Sequence, residues 1–204
     1  MKKYELLTND TVVVYGKTLY RIRALKDFSN IKVGDLGGYI EKEENLSQFG
    51  DARVSGDARV FGDAWVSGNA WVFSDARVSG DARVFGDAWV SGNAWVSGDA
   101  RVFGNAEVFG NADVSGDAWV SGDARVSGNN DYCTINGFGS QNRTTTFFRL
   151  KDKNDIGVKC GCFCGTLEEF REKIKETHKD SYLAEEYLDI ANLMEKRFRN
   201  RSKL

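Results

Sequence analysis

Apolar and polar positions recur every six residues across the middle of the chain, from Gly50 to Ser127. The unit is Gly-Asp/Asn-Ala-x-Val-Ser/Phe, and thirteen consecutive copies follow one another with one break in the glycine column, at Ser74. A period of six fits no α-helix, whose apolar positions recur every three to four residues. It fits a short strand with Ala and Val on one face, followed by a corner at Gly-Asp or Gly-Asn. The pattern therefore predicts a coil of short strands, each stacked on the one below.

Two weaker units precede this run, at 38–43 and 44–49. We align them with the repeat so that Ile40 and Leu46 stand where later units have Ala. The solenoid is accordingly predicted over residues 38–127. Its two ends would expose strand edges, which need covering to prevent end-to-end aggregation.

The hexads resemble a known group of repeat proteins. Residues 54–59, Val-Ser-Gly-Asp-Ala-Arg, have the aliphatic-x-x-x-small-x pattern of hexapeptide-repeat proteins, which form left-handed parallel β-helices with three hexads in each triangular coil. The left hand comes from this resemblance alone. The expected fold class is mainly β: a single-stranded left-handed parallel β-helix, or β-solenoid, of about five coils with a cap at each end.

The segment before the solenoid is predicted to form a β cap over residues 1–37. Thr11–Tyr15 and Thr18–Ile22 are rich in β-branched and aromatic residues and flank Gly16-Lys17, which predicts a hairpin. Residues 34–40 then lead into the first coil.

The segment after the solenoid is predicted to hold a loop and a small ββαα cap. Residues 128–143 are rich in Gly and Asn and are expected to form an exit loop. Residues 144–204 begin with two alternating stretches, 144–150 and 156–163, that predict a β-hairpin. Thr166 and Glu169 have the spacing of a capping box, so a helix should start there, with a second from about Ser181.

The flanks carry a second resemblance. Residues 19–25, 37–47 and 160–167 look like stretches of bacteriophage and prophage proteins of a largely unassigned type. This resemblance implies a viral or mobile-element setting, and it transfers no catalytic residue.

Composition excludes several function classes. Lys and Arg number 28 against 30 Asp and Glu, which gives no general reason to expect a nucleic-acid polymer or a membrane as partner. No apolar run is long enough for a membrane span, and the N-terminus lacks a signal core. We therefore expect a cytoplasmic protein, in the host cytosol if a phage encodes it. Four cysteines do not suggest a disulfide scaffold.

The outward position between Ala and Val carries all five tryptophans of the chain. With three hexads in a coil, these positions form three columns. The first face would carry Arg53, Trp71, Trp89, Glu107 and Arg125; the second face Arg59, Arg77, Trp95 and Asp113; the third face Trp65, Arg83, Arg101 and Trp119.

Three interpretations of these columns remain open. They could form a subunit interface, because Trp and Arg are preferred interface anchors and hexapeptide-repeat relatives are commonly trimers. They could bind a nucleotide-like ligand, with Trp planes for a base and Arg for phosphate. They could also only stiffen the sheets through same-face pairs. The Asp/Asn column at the corners is interpreted as local turn chemistry.

We expect a non-enzymatic homo-oligomer that sequesters a host small molecule, such as a nucleotide immune signal, or blocks a host protein. The alternatives are a hexapeptide-repeat acyltransferase and a purely structural or virion-associated solenoid. Acyltransferases of that type generally use a histidine base, and His178, the single histidine, lies outside the coil in a predicted helix. No catalytic residue and no cofactor are predicted.

Three cysteines form a weak candidate for a metal site. Cys160, Cys162 and Cys164 alternate along one predicted strand, so their side chains should share a face. Zn²⁺ prefers four ligands, and Cys133 or His178 would have to complete the set. Reduced structural thiols are the favoured interpretation.

Overall fold

A computed structural model describes residues 2–152 and 155–201. The predicted hairpin is confirmed: β1 (Tyr4–Val14) and β2 (Lys17–Ala24) are antiparallel and are joined by Tyr15-Gly16. Strand β3 (Leu36–Ile40) pairs antiparallel with β2 on one side and parallel with the solenoid on the other. A single 3-10 turn, Glu43–Asn45, follows. The N-terminal cap is thus continuous with one wall of the solenoid.

Thirteen two-residue strands build that solenoid, one in each hexad. They are β4 (Arg53–Val54), β5 (Arg59–Val60), β6 (Trp65–Val66), β7 (Trp71–Val72), β8 (Arg77–Val78), β9 (Arg83–Val84), β10 (Trp89–Val90), β11 (Trp95–Val96), β12 (Arg101–Val102), β13 (Glu107–Val108), β14 (Asp113–Val114), β15 (Trp119–Val120) and β16 (Arg125–Val126).

Each strand pairs in parallel with the strand one coil further on. Trp71, for example, lies between Arg53 and Trp89. The partners are three hexads apart, which confirms the predicted coil, and the sheets of the solenoid are its three walls. Every Ala and Val of the thirteen hexads is at most 1% exposed, so together they fill the shaft. The hand of the winding stays a prediction.

The corners explain the glycine column. Gly50 has φ +68°, and a Cβ placed on it would lie 2.7 Å from the carbonyl oxygen of Gly68 in the next coil. Positive φ and close stacking therefore both favour glycine. Ser74 occupies the same kind of corner with φ +59°.

The alignment of the two weak hexads is wrong. Ile40 pairs with Val60, and Leu46 forms a bridge with Val66, so both occupy Val positions and not Ala positions. The first coil is longer than the others, and the extra length lies between Leu46 and Val54. Gly38 takes the Ala position, where a Cβ would lie 2.6 Å from the carbonyl oxygen of Ala58.

The two ends of the solenoid need opposite capping chemistry. Backbone N–H groups of each coil donate to carbonyls of the following coil, as Arg53 N–H does to Ala70. The first coil is therefore left with carbonyls to satisfy and the last coil with N–H groups. At the first end, the Lys3 ammonium donates to the Ala52 carbonyl at 2.8 Å and the Tyr4 hydroxyl to the Leu46 carbonyl at 2.6 Å.

At the other end, side-chain oxygens accept from the remaining N–H groups. Asn129 Oδ1 accepts from Asp113 N–H at 2.8 Å, Thr146 Oγ1 accepts from Trp119 N–H at 3.0 Å and Asp131 Oδ2 accepts from Ser127 N–H at 2.9 Å. Donors at the first end and acceptors at the last satisfy backbone groups that would otherwise be buried without partners.

The C-terminal cap is larger than predicted. A four-stranded antiparallel sheet is formed by β17 (Tyr132–Phe138), β18 (Arg143–Arg149), β19 (Ile156–Cys160) and β20 (Phe163–Thr166). The expected exit loop, 128–143, is wrong for 132–138, because that stretch pairs with β18 despite its Gly and Asn. The second predicted strand is also interrupted, by a turn at Gly161-Cys162.

Two helices pack on one face of this sheet. Helix α1 (Leu167–His178) begins with the predicted capping box of Thr166 and Glu169. Helix α2 (Tyr182–Arg201) follows. Together with the sheet they form a second core that includes Phe147, Phe170 and Met194. None of the described helices is both long enough and apolar enough to span a membrane.

Candidate functional site

The outward side chains form the three columns that the three-hexad coil predicts. Parallel pairing places Arg53, Trp71, Trp89, Glu107 and Arg125 on the first face, Arg59, Arg77, Trp95 and Asp113 on the second, and Trp65, Arg83, Arg101 and Trp119 on the third. All five indoles, which lie within the described residues, are thus outside the shaft. The columns differ in what covers them, so each face is described separately.

The first face carries an aromatic patch, here called the first-face cluster: Arg53, Trp71, Phe73 and Trp89. The Arg53 guanidinium lies 4.3 Å from the Trp71 ring centroid. The Trp71 centroid lies 4.2 Å from that of Phe73 and 5.8 Å from that of Trp89. Trp89 is still 46% exposed. The face then becomes charged, because Glu107 lies 3.1 Å from the Lys151 ammonium and 3.9 Å from Arg125.

The second face is partly covered by the chain's own hairpin. Tyr15, at the tip between β1 and β2, stacks on Trp95 with ring centroids 6.2 Å apart and planes 12° apart. It also contacts Phe61, which is buried. The Trp95 indole N–H donates to Ser79 Oγ at 2.9 Å. The aromatic groups of this face are therefore engaged within the chain.

A cavity of about 520 Å³ lies between the third face and the C-terminal sheet, and we call it the third-face cleft. Its lining includes Arg101 and Trp119 from the solenoid and Arg143 and Lys159 from the sheet. Of the predicted candidates, Arg101 and Trp119 are thus brought together here. Trp65 and Arg83 lie further up the same face, toward the N-terminal end.

Three cations line the third-face cleft without a direct ion pair among the described residues. Among the described residues, no nitrogen of Arg101, Arg143 or Lys159 lies within 4.0 Å of a carboxylate oxygen. Lys159 is only 9% exposed, and its ammonium donates to the Gly161 carbonyl at 2.7 Å. A lysine this deeply buried is usually paired, because removing an unpaired ammonium from water is costly.

Trp119 holds two of these cations in place. The Arg101 guanidinium lies over its ring at 4.6 Å from the centroid, and the Lys159 ammonium lies over it at 5.3 Å. Cation–π attraction of this kind partly compensates the lost hydration of the two cations. The ring therefore positions positive charge, and its faces are less available to stack on a base than the sequence suggested.

Two carboxylates also line the third-face cleft. Asp99 and Asp117 occupy equivalent corners of successive coils, and both are exposed. Carboxylates accept hydrogen bonds and repel phosphate, so they would favour a ligand that presents donor groups on one side and anionic oxygens on another. The cleft therefore carries both cations and carboxylates, and two of its cations, Arg101 and Lys159, lie over Trp119.

Sequence reasoning missed Arg143 and Lys159. Lys159 lies on β19, facing the solenoid together with Thr146 and Cys164, with which it is in register. The Cys164 thiol lies 3.3 Å from Ser121 Oγ of the last coil. Only the docking of this sheet on the solenoid brings Lys159 to Trp119. The sequence feature that could have pointed to Lys159 is its charge within the otherwise uncharged strand Ile156–Cys160.

The prediction that the three cysteines share a face assumed one continuous strand, and it is wrong. Cys160 pairs with Phe163 and faces the helices, Cys162 lies in the turn, and Cys164 is opposite Lys159 on the solenoid side. The turn at Gly161-Cys162 breaks the expected alternation. The described residues contain no cluster of three or more metal-ligating side chains.

A second cavity, of about 280 Å³, lies next to the cleft, and we call it the C-terminal groove. Its lining includes Phe163, Phe170 and Tyr187, with His178 stacked on Tyr187 at a centroid distance of 5.3 Å. His178 thus lies at the end of α1, within the predicted helical segment. Arg143 and Gly161 line both the groove and the third-face cleft.

Comparison with known families agrees with this architecture. Residues 52–68 and 76–92 match a family model described as the YdcK beta solenoid repeat. The protein is a β-solenoid repeat protein. The two matched stretches cover the early hexads of the solenoid and neither cap. No curated protein sequence matches the chain.

Proposed function

We propose that this solenoid protein is a non-enzymatic binding protein that holds a small phosphorylated molecule, of the nucleotide class, in the third-face cleft. The observation that carries the proposal is Lys159, a buried ammonium with no carboxylate oxygen of the described residues within 4.0 Å, in the same cleft as Arg101 and Arg143. A bound phosphate would supply the missing negative charge.

The chemistry of the third-face cleft supports this ligand class. Arginine guanidinium groups bind phosphate oxygens through paired, charge-assisted hydrogen bonds. The volume of about 520 Å³ falls within the range of about 300–1,000 Å³ typical of small-molecule sites. Asp99 and Asp117 suit the hydroxyl or amine donors of the same ligand.

Sequestration is the role that fits a site built from positioned cations. The resemblance of residues 19–25, 37–47 and 160–167 to phage proteins supports a setting in the host cytosol, where a nucleotide immune signal would be the molecule removed. The acyltransferase alternative has less support, since its usual base is a histidine and the single histidine, His178, lines the neighbouring groove.

The proposal includes a homo-oligomer in which a second copy of this chain covers the first-face cluster. Trp89 leaves 46% of its surface exposed at the centre of that face. Trp and Arg are frequent interface anchors. Glu107, Arg125 and Lys151 lie further along the same face and offer both signs of charge to a neighbouring copy. A trimer is the stoichiometry that the hexapeptide-repeat resemblance implies.

Isothermal titration with ADP, ADP-ribose and pyrophosphate tests the binding function. We expect at least one of these probes to bind, and Lys159→Met to weaken it about tenfold to a hundredfold. That range corresponds to losing a charged hydrogen bond worth about 1.5–3 kcal/mol. Lys175→Met, at an exposed position on α1 away from both cavities, should leave the affinity unchanged.

Thermal unfolding of the ligand-free proteins provides a second readout. Lys159→Met should keep or raise the melting temperature, because the variant no longer buries a charge that lacks a carboxylate partner. A variant that loses both binding and stability would instead make Lys159 structural. If none of the three probes binds the wild-type protein with a Kd below about 1 mM, the proposed function is wrong.

A further inference from the structure

The third-face cleft offers little aromatic surface to a ligand ring. Among the described residues that line the cleft, one is aromatic, Trp119, and two cations already lie over its indole ring. The cleft can therefore bind the phosphates of a nucleotide, but it gives the base a poor platform. A base is a flat, largely apolar ring that proteins usually hold by stacking on aromatic side chains.

Such side chains line the adjacent C-terminal groove. Phe163 and His178 are the partly exposed rings. Phe170 and Tyr187 lie behind them, 4% and 8% exposed, with the Phe170 centroid 5.3 Å from that of Phe163 and with His178 stacked on Tyr187. The lining is largely apolar, and Gln141 and Thr177 add hydrogen-bonding groups that can meet the edge of a ring. The groove volume of about 280 Å³ accommodates a ring system the size of an indole side chain.

Arg143 connects the two cavities. It lies at the start of β18, and both it and Gly161 contribute to the walls of the cleft and of the groove. One of the Arg143 terminal nitrogens lies close to Gly161, where an added Cβ would be 2.6 Å from it. A single ligand can therefore place its anionic group at Arg143 on the cleft side and extend past Gly161 into the groove.

We infer that the C-terminal groove is the base subsite of the nucleotide ligand, with the phosphates in the third-face cleft and Arg143 between the two. This inference rests on the proposed function, because it assigns the second half of the same ligand. It also separates the roles of the aromatic groups: Trp119 positions cations, whereas the rings of the groove hold the base.

The single histidine of the chain makes the groove directly observable. The imidazole of His178 gives a unique pair of carbon-bound proton resonances in a ¹H–¹³C NMR spectrum, since the sequence contains one histidine. A base stacked in the groove shifts these resonances through its ring current. We expect ADP to shift them at saturation and pyrophosphate, which has no base, to leave them nearly unchanged.

A groove-filling variant gives an independent measurement. Thr177 is an exposed position on α1 that lines the groove, so Thr177→Trp should occupy the subsite without disturbing the core. We expect this variant to bind ADP about tenfold more weakly and pyrophosphate with an unchanged Kd. Lys175→Trp, at an exposed position of α1 outside the groove lining, is the matched control and should change neither Kd.

The outcomes separate the two proposals. If ADP and pyrophosphate both bind, but ADP leaves His178 unshifted and Thr177→Trp weakens neither or both equally, the groove is not the base subsite and the cleft proposal stands. If none of ADP, ADP-ribose and pyrophosphate binds the wild-type protein, the proposed function is wrong and the base subsite is wrong with it.

Discussion

At the scale of single residues, two buried lysines, Lys3 and Lys159, differ in the groups that surround their ammonium. Lys3 is fully buried and donates to the carbonyls of Ala52 and Gly50, with the Phe28 ring 4.9 Å from its ammonium. Its partners are backbone groups at the end of the solenoid, so its role is capping. Lys159 donates to one carbonyl, lies over the Trp119 ring and lines a cavity with no carboxylate of the described residues within 4.0 Å, and this is why we assign it to a ligand.

Lys3 predicts an unusual pH dependence of stability. Burial lowers the pKa of Lys3 from 10.5 to about 8. Between these values the unfolded chain binds more protons than the folded chain, so the free energy of unfolding should rise with pH. From pH 8 to 9.5 this contribution is at most about 2 kcal/mol.

Urea denaturation at pH 7.5 and at pH 9.5 measures this effect. The Lys3→Met variant, which cannot titrate at this position, is the control and should lack the increase. Measurements should stay below pH 10, because burial raises the pKa of Tyr4 and ionisation of the unfolded tyrosine would then favour unfolding. Equal pH profiles for the two proteins would refute the buried-ammonium explanation.

At the scale of the elements, the corners form side-chain ladders along the solenoid. In one column Asp and Asn alternate, as Asp51, Asn69, Asp87, Asn105 and Asp123. Asn69 Nδ2 donates to Asp87 Oδ1 at 3.0 Å, and Asn105 Nδ2 donates to Asp123 Oδ1 at 3.1 Å. Each amide thus separates two carboxylates that would otherwise be stacked, which adds contacts between coils to the expected turn chemistry.

This alternation predicts that Asn105→Asp destabilises the solenoid by about 1 kcal/mol at low salt. The change removes one hydrogen bond, worth about 0.5–1.5 kcal/mol, and places a third carboxylate between Asp87 and Asp123. Added salt should recover part of the loss. Chemical denaturation at two ionic strengths measures both effects.

Asn111→Asp is the matched control for the ladder. Its neighbours along the column are Asn93 and Asn129, and Asn93 Nδ2 can still donate to the new carboxylate as it does to Asn111 Oδ1. This variant should change stability by less than about 0.5 kcal/mol. Equal losses for the two variants would mean that carboxylate repulsion is not the cause.

At the scale of the whole molecule, the two caps close the strand edges at both ends of the solenoid. Donors from Lys3 and Tyr4 close the carbonyl end, and acceptors from Asn129, Asp131 and Thr146 close the N–H end. End-to-end stacking is thereby hindered, because the strand-edge groups at these positions already have partners within the chain. The proposed association between copies would then use the side walls of the solenoid.

The first-face cluster predicts side-by-side association. Trp89→Glu should convert the proposed oligomer to a monomer, because it places a charge at the centre of the exposed aromatic patch. Light scattering coupled to size-exclusion chromatography measures the mass. Tyr182→Glu, which alters another exposed aromatic residue, on α2, should leave the mass unchanged. A monomeric wild-type protein at micromolar concentration would contradict the interface.

The sequence by itself determined the repeat, the Val and Ala shaft and the outward position of the Trp and Arg side chains. These features follow from period-two alternation and from corner chemistry, which are local properties of each hexad. The three-hexad coil, and with it the three outward columns, was implied by the resemblance to hexapeptide-repeat proteins. The capping box at Thr166 and the first hairpin were equally local and were predicted correctly.

Only the tertiary structure decided the register of the first coil and the site itself. Ile40 and Leu46 could be aligned in more than one way, and pairing with Val60 and Val66 selected one. The extra strand Tyr132–Phe138 and the turn at Gly161-Cys162 depend on sheet contacts that no local pattern encodes. Lys159 meets Trp119 because the C-terminal sheet folds back onto the last coils, and that docking depends on contacts between surfaces.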